Sequence, residues 1–247
     1  MGEDRKPVKF GNERVPTGIP GLDKLIEGGF VKNSSVLVRG DTGTGKTLFC
    51  LQYLHYGAKE CEEPGVFISF AESNEAIYNH GKKFGWDLEG LAKKNLFGVI
   101  RYEPHEVVRI MNEGGGLLGD TVESLGAKRL AIDSLTAYQL FFENQYKANQ
   151  SVLELFEMLK KWNVTAVVTS ELPVTFAHET RDRLGFLTEG IINLYHMRSQ
   201  STRVRALEII KLRDTSHSEK INIFAISKDG IRLLKSVEEV SFDGGEE

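Results

Sequence analysis

One stretch limits what this chain can fold into more than any other: Gly40-Asp41-Thr42-Gly43-Thr44-Gly45-Lys46-Thr47. It satisfies the pattern G-x-x-x-x-G-K-[ST], directly after the apolar run Ser35 to Val38 and directly before TLFCLQYL, whose apolar residues recur at helical spacing. A strand, a tight glycine-rich turn and a helix must therefore follow one another. Glycines let consecutive backbone N–H groups converge without Cβ clashes, and the start of the helix adds the positive end of its dipole. Such a turn is a cradle for phosphates. Lys46 is placed to reach the β- and γ-phosphate oxygens as a point charge, and the Thr47 hydroxyl to ligate Mg²⁺. ATP is the nucleotide expected, contacted by Asp41, Thr42, Gly43, Thr44, Gly45, Lys46, Thr47 and Leu48.

Hydrolysis asks for acidic groups beside the cradle. The first is a carboxylate on a neighbouring strand, and the apolar run Arg129 to Ile132 ends in Asp133. Asp133 is expected to hold Mg²⁺ through water. Taken alone, an Asp ending a buried strand reads first as a turn or helix-cap residue; the upstream cradle favours the metal role. The second group positions or deprotonates water, and Glu72, just beyond GVFISF at the expected carboxyl edge of a sheet, is the candidate. Glu72-Ser73-Asn74-Glu75 also reads as the start of a helix capped by Ser73 or Asn74, and the two readings are compatible. Glu171, ending VVTSE, is a further carboxylate expected at that edge, as a sensor or structural residue.

Around the cradle, short β-branched runs alternate with helical patterns. Strands are expected at Ser35 to Val38, Val66 to Phe70, Leu96 to Tyr102, Leu130 to Ile132 and Val164 to Thr169. Helices are expected at Lys46 to Lys59, Asn74 to Phe84, Glu106 to Leu125 and Gln150 to Trp162. That rhythm predicts an α/β fold, a mostly parallel twisted sheet flanked by helices. From Gly190 the helices cease, and IINLYHM, RALEIIKL and INIFAIS should add antiparallel strands at the C-terminal edge. Residues 1–14 and 236–247 are charged and lack an apolar period, so they are expected to be mobile flanks of a single domain at 15–235. The net charge of −4 argues against a protein built to coat nucleic acid. Two cysteines and no signal-peptide pattern point to a cytoplasmic protein without a disulfide framework. No apolar run approaches the roughly 20 residues that span a bilayer. The histidines show no metal-site spacing, so no structural zinc is expected.

Several segments together carry a resemblance. PTGIPGLDKLIEGGF (Pro16 to Phe30), GDTGTGKT, EPGVFISFAES, FGWDL (Phe84 to Leu88), AIDSL and LEIIKLRDTSH (Leu207 to His217) resemble the KaiC-like branch of RecA-type ATPases, over about Val15 to Leu234. The resemblance implies a RecA-like core and a homo-oligomeric, six-membered ring with ATP held between adjacent subunits. A neighbour would then supply Lys211 and Arg213 to each site, with Leu212, Thr215 and His217 completing the segment. Lys83 and Ser227 occupy positions that contact nucleotide in KaiC. A guanidinium or ammonium from a neighbour would stabilise the transferring phosphoryl group, so an isolated subunit should be a poor ATPase. On strand spacing alone, Lys211 and Arg213 would be an ordinary solvated stripe.

The sequence departs from KaiC in two places. Ala71 stands where KaiC has the first of two adjacent glutamates, and Gly185-Phe186-Leu187-Thr188 lacks its phosphorylated Ser-Thr pair. Clock-type autophosphorylation is therefore not expected. A regulatory ring ATPase with an unidentified protein client is the leading expectation. A RecA/RadA-like DNA-handling role would use the loop after Glu171, where His178, Arg181 and Arg183 are interleaved with Glu179 and Asp182. An assembly module with little turnover is a third reading, and a small-molecule kinase fits the flanking motifs poorly.

Overall fold

The computed structural model describes residues 13–103, 106, 116–171, 185–199 and 202–236. Its strands are β1 (Arg14–Val15), β2 (Phe30–Val31), β3 (Ser35–Gly40), β4 (Gly65–Ser69), β5 (Phe97–Arg101), β6 (Arg129–Asp133), β7 (Thr165–Glu171), β8 (Gly190–Ser199), β9 (Thr202–Leu212), β10 (Asn222–Ser227) and β11 (Gly230–Ser236). The helices are α1 (Lys46–Glu60), α2 (Asn74–Lys83), α3 (Leu88–Lys93), α4 (Gly116–Leu125), α5 (Leu135–Gln139) and α6 (Gln145–Lys161). Strands β1 and β2 pair with each other; the rest form one nine-stranded sheet, ordered β11-β10-β9-β8-β3-β7-β6-β4-β5. Strands β3 to β8 run parallel, and β9, β10 and β11 join antiparallel. This is a RecA-like arrangement. Among the described residues no helix is long and apolar enough to cross a membrane.

Alternation along the strands builds a core on each face of the sheet. Val36 and Val38 meet Phe49, Tyr53 and Leu54 of α1 on one face, while Leu37 belongs with Val122, Tyr138 and Leu155 on the other. Helices cover both faces because both carry these apolar rows. Local chemistry sets the helix starts. The Ser73 side chain accepts from Ala76 N to begin α2, and Asn144 accepts from Lys147 N to begin α6. That Asn144 cap is why α6 starts at Gln145 and not at the expected Gln150.

Other expectations need correction. IINLYHM, expected as an antiparallel addition, is β8 and pairs in parallel with β3. The connection across 172–189 exceeds the dozen residues a parallel crossover needs, and β8 starts level with Val36 at the amino edge. The short helices α3 and α5 were not foreseen, because six and five residues carry too little period to read. Arg14, placed among the mobile residues, is tied down: it pairs with Val31 in β1–β2 and bonds Glu27 and Thr215. Residues 1–12 and 237–247 lie outside the described residues.

A buried cation fixes the base of the core. Arg129 opens β6 with no exposed surface; its Nε donates to Glu63 (2.7 Å) and its Nη1 to the carbonyls of Pro16 (2.7 Å) and Tyr53 (3.2 Å). The guanidinium lies 4.7 Å from the centroid of the Tyr53 ring. Gly57 on α1 makes the room, since a Cβ there would fall 2.2 Å from Arg129 Nε. Replacing a mid-helix Gly by Ala ordinarily gains about 1 kcal/mol. Here the clash should win. We expect Gly57→Ala to lower unfolding stability by about 1–3 kcal/mol in a denaturant titration, the usual range for overpacking.

Trp86 packs the end of α2 onto α1 by stacking on His55 (centroids 5.0 Å apart) and on Phe84 (5.2 Å). Burial, aided by the nearby Lys59 charge, pushes the His55 pKa down to about 4. Below the ordinary value of about 6.5, the unfolded chain takes up a proton that the fold excludes, so stability falls as pH drops from about 6.5 to about 4. Full burial would make this about 3 kcal/mol; for a half-buried ring we expect about 1–2. His55→Gln should flatten the stability profile across that window by this amount, read by urea unfolding at stepped pH.

Candidate functional site

Strand β3 delivers Gly40 to the carboxyl edge of the sheet, where no side chain fits: a Cβ would lie 2.6 Å from the Leu194 carbonyl oxygen and 2.7 Å from Thr44 Oγ1. The turn closes on itself. Thr44, fully buried, donates from its hydroxyl (2.9 Å) and its amide (3.3 Å) to the Asp41 carbonyl, and Thr42 N donates to Asp41 Oδ1 (2.7 Å). Gly43 (φ +79°) and Gly45 (φ +108°) take left-handed backbone, which turns the loop into α1. A Cβ on Gly43 would meet nothing within 4 Å, so backbone conformation, and not space, selects glycine there. Lys46 bends back over this loop, its Nζ donating to the carbonyls of Gly40 (3.1 Å) and Asp41 (3.0 Å). Glu171, in register with Gly40, lies 4.0 Å from the same ammonium.

Asp133 ends β6 beside that loop. Its Oδ2 accepts from Thr47 Oγ1 (2.5 Å) and its Oδ1 from Thr169 Oγ1 (2.5 Å). The competing reading as a helix cap does not hold, because Ser134 caps α5 by accepting from Ala137 N. The carboxylate is thereby left to the two hydroxyls. A hydroxyl and a carboxylate meeting at this point form a hard-oxygen donor set of the kind Mg²⁺ takes.

Glu72 stands on the next strand connection, for Ser69 pairs with Asp133 in the sheet. Ser69 Oγ accepts from Glu72 N (2.9 Å) and donates to Glu72 O (2.8 Å), clamping the turn. Ser73 supplies the helix cap, so here also capping and the carboxylate are separate duties. The Glu72 carboxylate faces His80 Nδ1 at 3.4 Å.

The antiparallel strands bring two further elements to this edge. Ile226 lies against the start of α1, 3.3 Å from where a Gly45 Cβ would sit. The adjacent Ser227 shapes the turn into β11, donating to Gly230 O (3.4 Å) and accepting from Asp229 N (3.3 Å). Arg205 on β9 reaches Gly43 O with Nη2 (3.5 Å), and sequence reasoning missed it. Nothing in RVRALE separates Arg205 from Arg203. Only the pairing of β9 with β8 sets it opposite His196, just past the level of Gly40.

Lys211 and Arg213 lie elsewhere. Leu212 is in register with Gly190, and Gly190 with Val36 near the start of β3, about 13 Å of strand short of the cradle. Lys211 Nζ donates to the carbonyls of Gly185 (2.8 Å) and Thr188 (2.6 Å); burial, helped by the neighbouring Arg213, pulls its pKa down. Arg213 N donates to Glu189 O (2.9 Å), and its side chain is exposed. Thr215 accepts from Arg14 Nη1 (2.6 Å), His217 Nδ1 lies 3.2 Å from Ser218 O, and Ser218 N donates to Leu25 O (3.1 Å). The KLRDTSH segment thus lies at the amino edge, away from the cradle, with Thr215 held by Arg14 and the following Ser218 by Leu25. Lys83 is exposed at the far end of α2. The loop carrying His178, Arg181 and Arg183 lies outside the described residues.

Across residues 15–238 the chain matches the family profile "ATPase: KaiC". It belongs to the KaiC family of ATPases. Similar proteins include the circadian clock oscillator protein KaiC of Prochlorococcus marinus subsp. pastoris, 34% identical over 92% of this chain but only 46% of its own length. The chain thus spans about half of the KaiC proteins it matches. A UPF0273 protein of Methanocaldococcus jannaschii is 31% identical, with 89% of this chain aligned to 95% of that one. Among solved structures, a KaiC-like protein from Pyrococcus horikoshii superimposes with TM-score 0.82 at 33% identity, covering 91% of this chain and all of that one.

The Thr47–Asp133 contact makes a specific expectation. Thr47→Val, nearly the same shape, should weaken ATP binding roughly tenfold when Mg²⁺ is present and leave it within about twofold in EDTA, the tenfold being about 1.4 kcal/mol. A fluorescent-nucleotide titration under both conditions checks it.

Proposed function

We propose that residues 15–235 act as one ATPase unit, which binds Mg·ATP in the cradle and hydrolyses it in a site completed by a second copy of the chain. The observation that carries this reading is the separation of the two charge sets. Lys46, Thr47, Asp133 and Glu72 belong to the carboxyl edge, whereas Lys211 and Arg213 belong to the amino edge about 13 Å of strand away. One subunit cannot use both sets on one nucleotide. Two copies, edge to edge, can.

In this reading Lys46 leaves the carbonyls of Gly40 and Asp41 for the β- and γ-phosphate oxygens. Thr47 and Asp133 would hold Mg²⁺, which supplies charge neutralisation at those phosphates. Glu72 accepts the proton of the attacking water, and the neighbour's copy of Arg213 offsets charge on the phosphoryl group as it transfers. Lys211, Leu212, Thr215 and His217 form the surrounding face from that neighbour, while Lys83 and Ser227 flank the nucleotide from the cradle's own side. A homo-oligomeric ring, hexameric by analogy with KaiC, satisfies every subunit, and its nucleotide state would be read by a protein client.

Mixing variants tests the shared site. Lys46→Ala and Arg213→Ala should each lose turnover, by about 10³-fold for the arginine. Mixed together they should regain measurable phosphate release, because some interfaces then pair an intact cradle with an intact Arg213. The mass in solution with Mg·ATP should exceed that of the free protein. A monomer whose turnover ignores Arg213→Ala would overturn the reading. ATP-driven assembly with turnover insensitive to Glu72→Gln would favour an assembly module instead.

A further inference from the structure

We infer that His80 is a positioning residue for Glu72, the donor that sets the carboxylate's orientation for its work on water. The inference rests on the reading of Glu72 as the group that accepts the water proton. It begins with Ala71: the neighbouring position carries only a methyl, so the orientation of a single carboxylate decides the outcome.

The main chain around Glu72 is already fixed. Ser69 holds its N–H and its carbonyl, and Ser73 caps the helix that carries His80. Residues 72 and 80 therefore keep their places relative to each other, and what remains free is rotation within the Glu72 side chain. Its Oε2 is buried and makes no hydrogen bond. His80 Nδ1 faces it at 3.4 Å, within contact, but the alignment falls short of a formed hydrogen bond. A buried carboxylate oxygen without a donor is costly, so a small side-chain rotation that closes this contact is favourable. With the proton on Nδ1, His80 donates to Oε2, which fixes the carboxylate plane and leaves Oε1 for water. Both side chains are 37% exposed, so water can reach the pair.

Steady-state ATP hydrolysis by wild type, Glu72→Gln, His80→Ala and His80→Gln tests the inference, with nucleotide affinity measured alongside to report an intact fold. His80→Ala should lower kcat at least about tenfold, within the hundredfold that a misplaced group can cost, while KM for ATP and nucleotide affinity stay within about twofold. His80→Gln, which keeps an N–H donor, should recover most of the loss. Wild-type kcat in His80→Ala, or a loss that glutamine does not recover, overturns the positioning role. If Glu72→Gln itself retains full turnover, the assignment of Glu72 falls and the inference falls with it. A dead Glu72→Gln beside a wild-type His80→Ala removes His80 alone.

Discussion

Much of this molecule hangs on one five-residue strand, β6, held to α1 at both ends. At its start the buried Arg129 guanidinium binds the Tyr53 carbonyl; at its finish the Asp133 carboxylate binds the Thr47 hydroxyl. Six helical residues, about 9 Å of rise, separate those two points on α1. The helix that opens the phosphate cradle is therefore pinned along its length, not just packed against an apolar sheet. The same arginine also holds Glu63 and the Pro16 carbonyl, so the segment before β2 and the loop before β4 share the anchor. A buried cation with this many partners is costly to disturb, because removing one partner strands charge in the core.

The cradle and its surroundings divide their labour in a regular way. Serines do the capping: Ser73 for α2 and Ser134 for α5. The acidic residues immediately before them, Glu72 and Asp133, are then left with carboxylates turned to other partners. In both places two consecutive residues supply a presented carboxylate and a fixed helix start. Strand order does the rest, since β4, β6, β7 and β3 are consecutive neighbours and gather Glu72, Asp133, Glu171 and the cradle along one edge.

The sequence was most legible where chemistry is local. Gly40 to Thr47 needs particular residues at fixed offsets, and the alternation of apolar runs and helical periods gave the parallel sheet its outline. Asp133 ends a strand and Glu72 lies just beyond one, which marks both in the sequence, but only the serine bonds show that helix capping falls to Ser134 and Ser73. What stayed hidden is non-local. The parallel direction of β8 depends on where a long connection returns the chain, Arg205 gains its place from strand register, and α3 and α5 are too short to show a period. Resemblance to KaiC supplied Lys211 and Arg213, while the edge they occupy emerged only from the pairing of β9 through β8 to β3.

Strand β9 carries Arg205 against its own cradle and runs into Arg213 at the opposite edge. If the amino-edge face of one copy docks on the cradle of the next, the two surfaces in contact are different surfaces. Such an interface is heterologous and has a direction. A pair of subunits then possesses one finished site and one unfinished one, and adding copies in a row always leaves a cradle waiting at one end. Only closure into a cycle removes the leftover, which makes geometry, as much as affinity, the arbiter of how many sites are live.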